Sequence, residues 1–282
     1  MKNISIILLF FTYINVILLS IILGIMFYPI SYGSLGNETN NPGMALYYFI
    51  ILILFTVFMI FLLRKKLEIV LKGIYFFVIG IILFFISTAL ISLLPIDPLI
   101  IIFLSLFISI SVPIIIWIRP SWIAIDILGL FTSSGAAALI GTSLGIIPII
   151  VLMVILIFYD IFAVLISKHM VTLAEGTIKT GLPALFIFPE EEKIYVKEIY
   201  ENGKKNAFFM GFGDAAIPSM LVVSSLINYS FISTIFTFLG LVISLFILFH
   251  FLGKNRPLPG LPFLNTGALV GFFISLLILR YI

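Results

Sequence analysis

The segment IIPIIVLMVILIFYDIFAVLISK, residues 146–168, decides the fold. It is apolar almost throughout and, at 1.5 Å per residue, long enough to cross roughly 30 Å of hydrocarbon, yet it carries an acid, Asp160, eight residues before its end at Lys168. Runs of this kind recur along the whole chain. Hydrophobic residues make up 63% of it, charged residues 10%, and the mean hydropathy is +1.35, which leaves too little polar surface for a soluble domain. The first run, from Ile4 to about Phe27, exceeds the h-region of a cleaved signal peptide and reads as a retained helix. With no cysteine, disulfides, thiol catalysis and thiolate metal sites are excluded. The pI near 9.0 does not point to nucleic acid, because the basic residues sit between the apolar runs.

The runs predict an all-α integral membrane protein with nine transmembrane helices, over 4–27, 45–63, 69–94, 98–118, 121–143, 146–168, 207–228, 231–252 and 261–281. The weakest break lies near Gly145 and Pro148; if it closed, every later helix would invert. Charge placement settles the count. With the N-terminus inside, fourteen lysines and arginines fall on inner segments, among them Lys2, Arg64, Arg119, Lys168 and Arg256, and only Arg280 falls outside. The expectation is a multi-pass protein of the cell membrane with a cytoplasmic N-terminus and an external C-terminus. Residues 1–168 form helices one to six, 169–206 a hydrophilic cytoplasmic loop, and 207–282 helices seven to nine. The lysines and glutamates of that loop cancel, so it reads as a solvated connector. Ala184–Phe188 and Lys193–Tyr200 nevertheless look strand-like, and a strand there could receive an extended peptide by edge pairing.

Three acids lie within spans: Asp126, Asp160 and Asp214. A carboxylate at membrane depth costs several kcal/mol unless neutral or paired, so each is a functional candidate. Counting Asp214 as about seven residues into a helix that starts at Ala207, both it and Asp160 fall roughly 10–12 Å below the inner surface. The two helices are antiparallel neighbours, so topology allows the carboxylates to face each other. Two close carboxylates share a proton, leaving one as base and one as acid. That state suits water-mediated amide hydrolysis. It suits a proton relay in a proton-coupled transporter as well, and charge and depth alone do not choose.

The local sequence does. Tyr159-Asp160 and Gly211-Phe212-Gly213-Asp214 resemble the Tyr-Asp and Gly-x-Gly-Asp motifs of the presenilin and signal peptide peptidase family of intramembrane aspartyl proteases. The family's third motif, Pro-Ala-Leu at the start of the ninth helix, is matched in position by Pro259-Gly260-Leu261-Pro262, with glycine in place of alanine. A literal Pro183-Ala184-Leu185 lies in the polar loop before the second aspartate and reads as coincidence. The resemblance implies an aspartic endopeptidase that cuts transmembrane segments of other proteins, with Asp160 and Asp214 catalytic. Tyr159, Gly211, Gly213, Pro259, Gly260, Leu261 and Pro262 then position the substrate. Pro259 and Pro262 lack amide donors and leave backbone groups free near the pair. Neither cofactor nor metal is implied. Partners are substrate transmembrane helices and the lipid bilayer, not nucleic acid, and self-association is left open. Pro218 resembles the signal peptide peptidase branch, whereas the orientation resembles presenilin. Prepilin peptidases share Gly-x-Gly-Asp but lack the other two elements.

The remaining polar residues read as structural. Asp126 is expected to be a satisfied carboxylate. His169 and His250, with no carboxylate at fixed spacing, make no metal site. Asn37-Glu38-Thr39 fits a glycosylation sequon on the outer side. Gly267 with Gly271, and the small residues of 133–141, read as close-packing faces.

Overall fold

The computed structural model describes residues 2–35, 41–166, 182–189, 207–251 and 259–280. Nine α-helices occur among them: α1 (Lys2–Leu35), α2 (Gly43–Arg64), α3 (Glu68–Ile91), α4 (Pro98–Ile118), α5 (Trp122–Ser143), α6 (Ile146–Ile161), α7 (Phe212–Asn228), α8 (Phe231–Phe251) and α9 (Leu261–Leu279). A π-helical turn, Phe162–Ile166, continues α6. All but α7 are long and apolar enough to cross a membrane. The helices start where the residues supply partners for unpaired amides. Asp97 accepts the Leu99 N–H at 2.8 Å ahead of Pro98, and the Ser121 hydroxyl accepts the Ala124 N–H at 3.2 Å. The doubtful break between the fifth and sixth spans is real: Leu144 and Gly145 take extended backbone angles and separate α5 from α6.

Three expectations need correction. The chain is not wholly α-helical: β1 (Leu185–Pro189) and β2 (Ala207–Gly211) form an antiparallel pair in the register Leu185↔Gly211 through Pro189↔Ala207. The seventh helix starts at Phe212 rather than Ala207, because residues 207–211 are spent on β2. This puts Asp214 in the first helical turn instead of seven residues in. Finally, residues 182–189 are not solvated connector, since Leu182, Phe186, Ile187 and Phe188 are buried. The strand-like segment 193–200, Lys168, His169 and the sequon at 37–39 lie outside the described residues.

Helix α7 is the centre of the molecule, in contact with α1, α5, α6, α8 and α9. From Ala215 to Ser225 it is buried except at Ile217. Helices crowded on all sides need small residues so that backbones can approach. Ala215, Ala216, Ser219, Ser224 and Ser225 supply them, and the Ser219 and Ser225 hydroxyls donate back to the Ala215 and Val222 carbonyls of their own helix. The predicted packing faces behave as such. Gly135 lies under Ile82 and Ile86 of α3, and Gly141 lies against the Met220 carbonyl and Val223 of α7. Gly240 of α8 meets the backbone of Gly267 and Gly271 on α9.

Candidate active site

Asp160 stands one residue before the C-terminal end of α6 and is 3% exposed. The helix widens to the π-helical turn immediately beyond it, a departure from α-geometry that is frequent at functional sites. Its Oδ2 accepts the Leu261 N–H at 3.2 Å. Leu261 is the first residue of α9, so this amide has no partner within its own helix. Pro262 next to it brings no amide hydrogen, which leaves Leu261 as the donor at that turn.

Asp214 is reached through Gly211-Phe212-Gly213. Gly211 caps α7 in extended conformation, and the Asp214 carboxylate, three residues on, turns back to accept the Gly211 N–H. This is the reciprocal half of a capping box, with an aspartate in the third helical position. A Cβ on Gly211 would lie 3.2 Å from Asp214 Oδ2, so this tight return leaves little room for a side chain. The backbone around the turn is held from two sides. Tyr13 of α1, itself buried, donates its hydroxyl to the Asp214 carbonyl at 3.2 Å, and Ser133 of α5 donates to the Phe212 carbonyl at 3.1 Å.

The two acids meet at the start of α9. Asp160 binds the Leu261 amide, while a Cβ added to the preceding residue, Gly260, would lie 3.5 Å from Asp214 Oδ2. One turn of backbone therefore binds one carboxylate and lies beside the other. The profile of the family described as signal-peptide peptidase, presenilin aspartyl protease matches residues 8–281. The chain belongs to that family. Two solved structures titled as presenilin-family intramembrane aspartate proteases are similar throughout. The first, in space group C222, shows 27% identity and a TM-score of 0.67, covering 95% of this chain and 97% of that one. The second, in space group P2, shows 28% identity and a TM-score of 0.66, covering 95% and 96%. No curated protein matches the chain.

Against this family background the other predicted positions separate. Gly211 and Leu261 donate their backbone N–H to an aspartate, Gly260 lies beside Asp214, and Pro259 and Pro262 bracket that turn. Gly213 has open space around it, an added Cβ meeting only the tip of Ile217 at 3.9 Å. Tyr159 turns toward α2: its ring stands edge-on to Phe49 at 5.8 Å and its hydroxyl is paired with Thr56. The free amide expected at the proline-bearing turn is taken up by Asp160 itself. Pro183-Ala184-Leu185 leads into β1, where the Ala184 carbonyl accepts the Phe212 N–H at 3.2 Å, beside the glycine turn. Asp126 is only half satisfied: Oδ1 accepts the Ile187 N–H of β1 at 2.7 Å, while Oδ2 is buried without a partner among the described residues.

Sequence reasoning missed Tyr13, Ser133 and Asn265. Fully buried Asn265 lies one turn beyond Leu261 on α9 and donates from Nδ2 to the Met153 carbonyl of α6 at 3.2 Å. An amide inside an apolar helix three residues past the proline motif is the signal that marks it. A groove of about 610 Å³ between α8 and α9 includes Gly240, Gly267 and Pro262 in its wall but neither aspartate. It follows from the close approach of glycine-bearing helices and lies apart from the carboxylates.

Proposed function

We propose that the protein hydrolyses peptide bonds within transmembrane segments of other membrane proteins, with Asp160 and Asp214 as the catalytic pair and water as the nucleophile. The convergence of both carboxylates on the Gly260–Leu261 turn carries this reading. One aspartate, ionised, takes a proton from the water as it attacks the amide carbon. The other, protonated, donates to the carbonyl oxygen. The resulting gem-diol collapses as a proton passes to the amide nitrogen and the C–N bond breaks, with no covalent enzyme intermediate. Asp160 and Asp214 sit on different helices and are held by different backbone amides, Leu261 and Gly211, so the spacing of the pair depends on how α6, α7 and α9 pack.

A helical amide is shielded by its own hydrogen bonds, so the substrate must unwind before the pair can reach it. The strand pair supports an account of where. Ile187 directs its N–H away from β2, toward Asp126, which makes Ile187↔Phe209 a non-hydrogen-bonded pair. Phe209 therefore turns its N–H and C=O to the open side of β2, and no hydrogen bond engages them among the described residues. An extended substrate segment added at that edge runs toward Gly211 and Asp214. Gly213 leaves room beside the second aspartate, and the proline-bearing turn at 259–262 closes the site opposite. The lysine and arginine distribution supports a cytoplasmic N-terminus and an external C-terminus, which puts both carboxylates toward the cytoplasmic side.

Inhibition by a peptide isostere bearing a hydroxyl in place of the scissile carbonyl tests the chemistry, because that group resembles the gem-diol. Competitive inhibition of cleavage is expected. Substrate flux into liposomes driven by a pH gradient, with no cleaved products and no effect of the isostere, would instead establish a proton-coupled transporter.

A further inference from the structure

Asp126 has no part in the chemistry above, yet it is a buried carboxyl inside a span and 7% exposed. Its neighbours along α5 explain what it holds. Asp126, Gly129 and Ser133 recur at intervals of three and four residues and so lie on one face of the helix. Each meets the segment leading to Asp214. Asp126 Oδ1 accepts the Ile187 N–H of β1 at 2.7 Å. Gly129 leaves the space occupied by the Phe212 and Phe186 rings, which pack against each other tilted at 60° with centroids 4.7 Å apart. Ser133 holds the Phe212 carbonyl.

The far edge of β1 is blocked in part by the same arrangement. Leu185, Ile187 and Pro189 turn their backbone groups away from β2. Asp126 occupies the Ile187 N–H, Pro189 has no N–H to offer, and its carbonyl accepts the Ser5 hydroxyl of α1 at 2.7 Å. An edge strand with unpaired amides would compete for an incoming extended peptide. On β1 two of the three outward positions, Ile187 and Pro189, are blocked in this way, which favours β2 as the edge that receives a strand.

We propose that Asp126 is a positioning residue for the cleavage reaction: by fixing Ile187 it anchors β1, blocks the middle of the wrong edge of the strand pair, and sets the register at which a substrate strand lies on β2 relative to Asp214. This rests on the protease reading above. Strand register moves in steps of about two residues, because a one-residue slip turns every side chain to the opposite face. A loosened anchor therefore changes where the substrate is cut as well as how fast.

The test uses the purified full-length chain and a transmembrane reporter peptide, with products read by mass spectrometry. In Asp126→Ala, kcat/KM is expected to fall roughly tenfold, mainly through KM, as for the loss of one buried hydrogen-bond acceptor. New products should appear about two residues from the main cut. Asp126→Asn keeps an accepting oxygen and should retain the wild-type product pattern. Asp126→Glu keeps the carboxylate but displaces it, and should shift the products even if the alanine variant does not fold. Leu23→Ala, a buried packing change on α1 outside the cluster that holds Ile187, should lower thermal stability without moving the cut. Hydrogen exchange of the Ile187 amide reads the anchor without substrate: faster in Asp126→Ala, unchanged in Asp126→Asn. An unaltered product pattern in Asp126→Ala and Asp126→Glu, or an Ile187 amide equally protected in Asp126→Ala, overturns the proposal. Absence of products from the wild type would overturn the protease reading instead, and Ile187 exchange would still decide whether Asp126 is the anchor.

Discussion

Helices α4 and α7 represent opposite ways of using a membrane segment. α4 has a mean hydropathy of 3.0 and presents Leu99, Phe103, Phe107 and Ile118 outward, burying only a stripe at Ser105, Ser109, Pro113 and Ile116. α7 is shorter, with 17 residues, and is surrounded by five other helices. In a bilayer the large apolar side chains belong on the outside, where lipid solvates them, and the protein interior takes small and polar residues. Hydropathy therefore finds the scaffold easily, and with it α6, the Asp160 helix, at 3.1, while the helix that carries Asp214 is read from its small and polar residues instead.

Substitutions at each extreme sharpen the contrast. The largest effect is expected where α5 meets the start of α7. A Cβ on Gly129 would already lie 2.8 Å from the Phe186 ring and closer still to Phe212. Gly129→Val should cost about 3 kcal/mol of stability and most of the activity, measured by thermal unfolding in detergent and by cleavage of the reporter. Next come the two glycines beside Asp214. Gly211→Ala pushes its methyl to 3.2 Å from the carboxylate, whereas Gly260→Ala reaches an ordinary 3.5 Å. Gly211→Ala should lower kcat roughly tenfold by displacing the acid a few tenths of an ångström, and Gly260→Ala should stay within about twofold of wild type. Equal losses at both positions would show that the backbone, rather than the room beside Asp214, sets the geometry. The smallest effect belongs to α4: Phe107, 70% exposed, faces outward, and Phe107→Leu should change stability by less than about 0.5 kcal/mol and leave cleavage unaltered. A strong effect there would mean that α4 meets a partner rather than lipid.

The sequence was most readable where chemistry is local. Apolar runs gave helix boundaries that the structure matches closely from 98 to 143, and the extended backbone at Leu144 and Gly145 confirmed the break that glycine and proline had suggested. Asp160 and Asp214 stood out because an acid in hydrocarbon is conspicuous. What stayed hidden depends on long-range pairing. Residues 207–211 continue an apolar run, so nothing in their composition separates β2 from the helix that follows; only the partner strand at 185–189 makes them extended. Asp126 likewise looked like a self-contained structural residue because its partner, the Ile187 amide, lies 61 positions away. Tyr13 and Ser133 each hold a backbone carbonyl, and a carbonyl leaves no mark on the sequence.

The central claim is that Asp160 and Asp214 act as one catalytic pair, and Asp160→Asn and Asp214→Asn test it most directly. Asparagine preserves the shape and an accepting oxygen for the Leu261 and Gly211 amides while removing the acid. Mass spectrometry of reporter products should show internal cuts within the transmembrane segment for the wild type and none for either variant. Thermal midpoints should stay within a few degrees of wild type. Residual cleavage above about a thousandth of the wild-type rate, in either purified variant that remains folded, would contradict the account.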